Sequence, residues 1–111
     1  MSYMVTGRIL VPELRSDIDR LRRLLEDLER IRRGDHPSPA RIAKAPVLNN
    51  WEMAQRLELC LTGVVNGHPI ITDDKEAYTS ALWVISPELG YARTFSRLYR
   101  LGTPFVDPSL H

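Results

Sequence analysis

Three arginines alternate with aromatic residues near the carboxyl end of the chain. Guanidinium groups neutralise phosphates and aromatic rings stack on bases, so an open sheet carrying both residue types could bind nucleic acid. The same composition also suits a fold in which the rings are buried and the arginine stems extend toward water. The predicted binding surface consists of Arg93, Phe95, Arg97, Tyr99 and Arg100.

The other residues that could act in catalysis or ligate a metal do not form a recognised catalytic or metal-binding motif. His68 precedes Asp73 and Asp74, but this spacing matches no metal-ligand motif. Cys60 stands between two leucines, without the glycine turn or helix N-terminus that activates a thiol. Because it is the single cysteine, the chain forms no internal disulfide and no multi-cysteine zinc site. We therefore predict a non-enzyme without catalytic residues, metal or cofactor.

A long amphipathic helix over residues 13–33 is the strongest element that the sequence predicts. Apolar residues recur there in alternating steps of four and three, and Gly34 follows the last turn. The stripe either covers a sheet within the chain, which is the favoured alternative, or pairs with a second copy in a homodimer. It consists of Leu14, Ile18, Leu21, Leu25 and Leu28.

A short second helix is expected over residues 39–44. Ser38 is its N-cap and Pro39 its first residue, and Pro46 prevents the helix from continuing. From residue 57 the apolar period changes to two, which is typical of a strand. Asn66-Gly67 is the residue pair of a type I′ hairpin turn, so we expect strands over 57–65 and 68–72 to pair. A third strand is expected over 78–85.

The segment 91–101 fits both a helix and a strand. A glycine-containing turn directly after a strand favours a hairpin return, with a break near Ser96-Arg97. In a regular strand Arg93 and Arg97 share one face while Arg100 lies on the other, so the three arginines could not meet one ligand. For this reason we rank a protein partner first and nucleic acid second.

These elements predict a single α+β domain over residues 1–111. It contains the long N-terminal helix, the short second helix, an antiparallel β-meander of three to five strands over 57–101 and an extended tail over 102–111. With 15 Lys+Arg and 14 Asp+Glu the net charge is +1, which argues against a general polyanion binder. No apolar stretch is long enough to span a membrane and no signal peptide is evident, so we expect a cytoplasmic protein with no membrane partner.

Four short motifs in the second half resemble a family of small bacterial proteins, mainly alphaproteobacterial, to which no activity is assigned. The motifs are Gly67-His68-Pro69, Thr79-Ser80, Ala92-Arg93-Thr94 and Tyr99-Arg100-Leu101-Gly102. The resemblance implies a β-meander, and it supplies no activity or catalytic residue to carry over.

The function that we predict from the sequence is a small non-catalytic protein-interaction or regulatory module. Its size and near-neutral charge are compatible with accessory proteins of phages, plasmids and mobile islands, including inhibitors of bacterial defence systems. The alternative function is a nucleic-acid-binding regulator that uses the face between Arg93 and Arg100.

Overall fold

The computed structural model describes residues 2–110, and of Leu110 only the backbone. The chain divides into two compact units. One is the helical unit, Val11–Gln55, and the other is the sheet unit, which combines the first ten residues with the chain from Arg56 onward. The long helix, the short second helix and the antiparallel strands confirm the predicted α+β class.

The helical unit contains the two helices that the sequence predicts. Helix α1 spans Leu14–Arg32, and the Gly34 N–H bonds to the Ile31 carbonyl where the helix ends. Helix α2 spans Pro39–Lys44 and begins as expected, because the Ser38 hydroxyl accepts a hydrogen bond from the Arg41 N–H at 3.2 Å. The Arg41 guanidinium reaches back to the Asp27 carboxylate of α1 at 2.9 Å, which ties the two helices together.

The apolar stripe of α1 is solvent-exposed, and Leu14 alone among its predicted members is half-buried. Leu25 and Leu28 are 59% and 52% exposed. The helical unit therefore does not bury these leucines, and the covering of the stripe by a sheet or by a second copy stays a prediction. The physical reason lies in the helical unit itself: α2 has 6 residues and residues 45–55 form no helix or strand. This unit thus holds no second element long enough to cover α1.

The sheet unit contains two separate sheets. Strands β1 (Tyr3–Met4), β4 (Leu82–Ser86), β5 (Tyr91–Thr94) and β6 (Leu98–Arg100) form the larger sheet in the order β1-β4-β5-β6. Strand β1 is parallel to β4, and the other neighbours are antiparallel. Strands β2 (Thr62–Val65) and β3 (Lys75–Tyr78) form a two-stranded antiparallel sheet. Buried side chains of the larger sheet include Leu82, Ala92 and Thr94, and Val5, just after β1, is also buried.

The predicted type I′ turn at Asn66-Gly67 is wrong, and residues 66–74 form a loop instead of a strand. Gly67 does have a positive φ of 76°, but its N–H bonds to the Asp73 carboxylate at 2.9 Å. The His68 ring nitrogen Nδ1 accepts the N–H groups of Ile70 and Ile71. These side-chain acceptors satisfy backbone donors that a return strand over 68–72 would have paired, so the partner strand starts at Lys75.

Two further strand boundaries differ from prediction. Residues 57–61 are not a strand, although the Leu59 and Leu61 carbonyls accept the N–H groups of Leu82 and Thr79, both at 2.8 Å. The predicted strand over 78–85 is split between β3 and β4. The predicted extended tail ends in a 3-10 turn over Pro108–Leu110, and residue 111 lies outside the described residues.

The hairpin return after residue 90 is confirmed, together with its break. Strand β5 ends at Thr94 and β6 starts at Leu98, so the segment 91–101 is two antiparallel strands. The turn before β5 is closed by the Gly90 N–H, which bonds to the Ser86 carbonyl at 2.8 Å.

Candidate functional site

The reversal of the chain between β5 and β6 places two of the predicted arginines on one sheet face. Arg93 is paired with Leu98, and Tyr91 is paired with Arg100. Directly paired residues share a face, as do residues two apart on one strand, so Arg93 and Arg100 are diagonal neighbours on the same face. Both side chains are exposed. The expectation that Arg93 and Arg100 face opposite ways is therefore wrong, because it assumed one unbroken strand.

The other three predicted site residues occupy different places. Phe95 and Arg97 lie in the β5–β6 turn, where Phe95 is 72% exposed. Tyr99 pairs with Ala92 and lies on the opposite face from Arg93. Its ring centroid is 6.3 Å from that of His68. The structure thus brings Arg93 and Arg100 together, puts Phe95 and Arg97 at the end of the same hairpin, and leaves Tyr99 behind it.

A hydrogen-bond network built on Thr94 and Ser80 shapes this turn. The buried Thr94 hydroxyl donates to the Arg97 carbonyl and accepts from the Ser80 hydroxyl, both at 3.1 Å. The Ser80 hydroxyl in turn accepts the Ser96 N–H at 2.9 Å. Two short motifs of the sequence, Thr79-Ser80 and Ala92-Arg93-Thr94, therefore meet in space and hold the turn that separates Arg93 from Arg97. Neither hydroxyl is predicted as a network member from the sequence, because Ser and Thr types alone do not distinguish buried residues from surface residues.

The charges on the β5–β6 hairpin suit an anionic ligand. Within residues 2–110, none of Arg93, Arg97 and Arg100 forms an ion pair with a carboxylate. Two exposed guanidinium groups on neighbouring strands offer paired donors to phosphate or carboxylate oxygens. We call this surface, consisting of Arg93, Arg97 and Arg100 with Phe95 at its end, the arginine face.

The remaining residues that could bind a metal or act in catalysis do not cluster. In the described part of the chain, no group of three or more His, Cys, Asp and Glu side chains is placed to hold a metal ion. His68 uses Nδ1 to accept backbone N–H groups, which is a structural role. Cys60 is exposed and carries a free thiol.

The second candidate surface is the apolar face of α1. Its members are 39–59% exposed and lie along one side of the helix. They are Ile18, Leu21, Leu24, Leu25, Leu28 and Ile31. Contiguous exposed apolar residues of this kind usually mark an interaction surface.

A family of unknown function, DUF6634, matches residues 12–108 of this sequence. The chain belongs to this family. The match includes both candidate surfaces, the α1 apolar face and the arginine face. No curated protein and no solved structure matches the chain. Among the described residues of this DUF6634 member, no helix is long and apolar enough to cross a membrane.

Proposed function

We propose that this DUF6634 protein is a cytoplasmic, non-catalytic interaction module that binds protein through the apolar face of α1. The observation that carries the proposal is the exposure of six large apolar side chains on one side of a helix of 19 residues. Helices in proteins are stabilised mainly by packing of their apolar face, so a helix with this face uncovered is suited to bind a partner.

The module's size and charge also fit the accessory proteins that mobile genetic elements use. A net charge of +1 gives the chain no bias toward polyanions. An inhibitor or regulator of a bacterial defence system needs one binding surface and no reaction chemistry, and the apolar face supplies such a surface.

Affinity purification from the natural host tests this function. The full chain should retain a protein partner after nuclease treatment, and a Leu25→Ala/Leu28→Ala variant should lose it. Arg23→Ala/Arg30→Ala, on a different side of α1, is the matched control and should retain the partner. Equal retention by both variants would contradict the use of this face.

Nucleic-acid binding by the arginine face is the second candidate function. The specific observation in its favour is that Arg93 and Arg100 share a face, which removes the geometric objection drawn from a single strand. Exposed Phe95 at the end of the hairpin adds a ring on which a base can stack.

A gel-shift titration with single- and double-stranded DNA and RNA distinguishes the two functions. If the arginine face binds phosphates, the logarithm of affinity should fall with that of salt concentration with a slope of about −2 to −3. Arg93→Ala/Arg100→Ala should abolish the shift, and Lys75→Ala on β3 should not. The absence of any shift at low salt would exclude this second function.

A further inference from the structure

The apolar face of α1 has the residue spacing of a helix-pairing seam. The five stripe residues predicted from the sequence follow each other in steps of four and three, an average period of 3.5. The two flanks of the seam differ. One carries the apolar Leu24 and Ile31, with Asp17 at its amino end, and the other carries Arg15, Arg22 and Glu29. A partner for this helix must therefore match one apolar flank and one charged flank.

We propose that the occupant of this face is a second copy of the chain, with the two α1 helices antiparallel; this deepens the proposed function and rests on it. When the helices cross near residue 23, Ile18 packs beside the partner's Leu28 and Leu21 beside the partner's Leu25. On the apolar flank Leu24 meets the partner's Leu24. On the charged flank Arg15 meets the partner's Glu29, at both ends of the pair. The seam is thus self-complementary in shape and, at Arg15 and Glu29, in charge; Arg15 also lies 3.7 Å from Asp19 of its own helix.

A parallel pair is less favourable because of Arg32. This residue occupies the next seam position, four after Leu28. In a parallel pair it would lie against the partner's Arg32 in the seam, where two like charges repel. The antiparallel pair instead places Arg32 beside the partner's Leu14, where the long stem packs on the leucine and the guanidinium reaches water.

The charged contacts of a parallel pair would also need Asp17, whose carboxylate already bonds within its own helix. Parallel helices would set Arg22 beside the partner's Asp17. Asp17 is 7% exposed, and its carboxylate is bound by Arg20 of its own helix at 3.1 Å. The antiparallel pair places Asp17 beside the partner's Ile31 and requires no ion pair from it. It does bring Arg22 near the partner's Arg22, which is an unfavourable contact that a variant can remove.

Sedimentation of the full chain over a range of concentrations tests the dimer. We expect a reversible dimer, weakened at least about tenfold in Leu21→Ala/Leu25→Ala. Arg23→Ala on the outer side of α1 is the control and should leave the dissociation constant unchanged. Far-ultraviolet circular dichroism verifies that each variant remains folded. A chain that is monomeric at every concentration would overturn the proposal.

Two further variants report the direction of the helices. A spin label at Arg33→Cys, in a Cys60→Ser background, should lie about 30 Å from its copy along the axis of an antiparallel pair, since 20 residues rise about 1.5 Å each. A parallel pair would bring the labels side by side. Arg22→Ala should tighten an antiparallel dimer and weaken a parallel one, so a short label distance or a weakened dimer would overturn the antiparallel arrangement.

The failure of this inference is distinguishable from that of the proposed function. A monomeric chain that still captures another protein through Leu25 and Leu28 would overturn self-pairing and support the interaction module. A monomeric chain with no captured partner would overturn both.

Discussion

The buried Thr94 hydroxyl is the residue-scale feature on which the arginine face depends. It links Ser80 to the backbone of the β5–β6 turn through bonds of 3.1 Å to the Ser80 hydroxyl and the Arg97 carbonyl. The Thr94 N–H also closes the reversal, with a backbone hydrogen bond of 3.0 Å to the Arg97 carbonyl. A neutral hydroxyl therefore helps to hold the turn that places two cations on one face.

Thr94→Val should destabilise the protein by about 1–3 kcal/mol, because the isosteric valine fills the site but leaves buried hydrogen-bonding groups unpaired. Urea unfolding followed by circular dichroism measures this loss. Thr62→Val is the control, since the Thr62 hydroxyl is exposed and bonds only to the Ala77 carbonyl at 3.1 Å. Equal stability of the two variants would mean that the network does not hold the turn.

The structure predicts a lowered pKa for Asp107. The backbone N–H of Ser109, and then its hydroxyl, donate to the carboxylate and lower the pKa of Asp107. Because folding lowers this pKa, the ionised carboxylate stabilises the local turn at pH values above the ordinary aspartate pKa. The turn loses this stabilisation and frays as the pH falls through the lowered pKa.

Carbon NMR titration should therefore show a depressed pKa for Asp107. Ser109→Ala should raise the pKa only in part, since the backbone donor remains. An ordinary pKa in the unmodified chain would show that the turn is not formed in solution.

At the scale of elements, the turn between β4 and β5 depends on one glycine. Gly90 has a φ of 82°, its N–H bonds to the Ser86 carbonyl, and its carbonyl accepts the Leu101 N–H at 2.9 Å. It therefore connects three successive strands of the larger sheet at one end.

Gly90→Ala should cost more than about 1 kcal/mol of unfolding free energy, because an alanine resists positive φ. The cost is purely one of backbone strain, since a Cβ atom at residue 90 meets no atom within 4 Å. Gly102→Ala is the matched control: its Cβ also enters open space and its φ is not positive, so thermal unfolding should be almost unchanged. Similar losses in both variants would contradict a strained turn.

At the scale of the whole molecule, the two units bury apolar surface very unequally. The buried apolar residues among those described are Val5, Leu82 and Ala92, all of the sheet unit. A helix whose apolar face is uncovered has little tertiary stabilisation of its own. We therefore expect the stability of α1 to depend on association.

The midpoint of thermal unfolding of α1, followed by helical circular dichroism, should rise over about a hundredfold increase in protein concentration, because dimerisation stabilises the folded state by mass action. Leu25→Ala should reduce this dependence and Arg23→Ala should preserve it. A midpoint independent of concentration in the unmodified chain would show that α1 is stable as a monomer.

The sequence by itself determined the elements whose signals are local. Helices α1 and α2 were predicted almost to the residue, because the spacing of leucines, the Ser38 cap and Gly34 act within one or two turns of backbone. The Ser86–Gly90 turn and the break near residue 96 were likewise readable from residues that lie close together in the chain.

Only the tertiary structure decided the features that join distant segments. Strand β1 has 2 residues, too few to show a period, and it forms because its backbone pairs with β4 some eighty residues later. The loop 66–74 replaced a tight turn because the side chains of His68 and Asp73 satisfy its backbone donors. Arg93 and Arg100 share a face because β5 and β6 pair in a register that sets Tyr91 opposite Arg100, and the periodicity of the local sequence does not specify that register. The turn between these strands is also held by Ser80, which bonds to Thr94 across 14 positions.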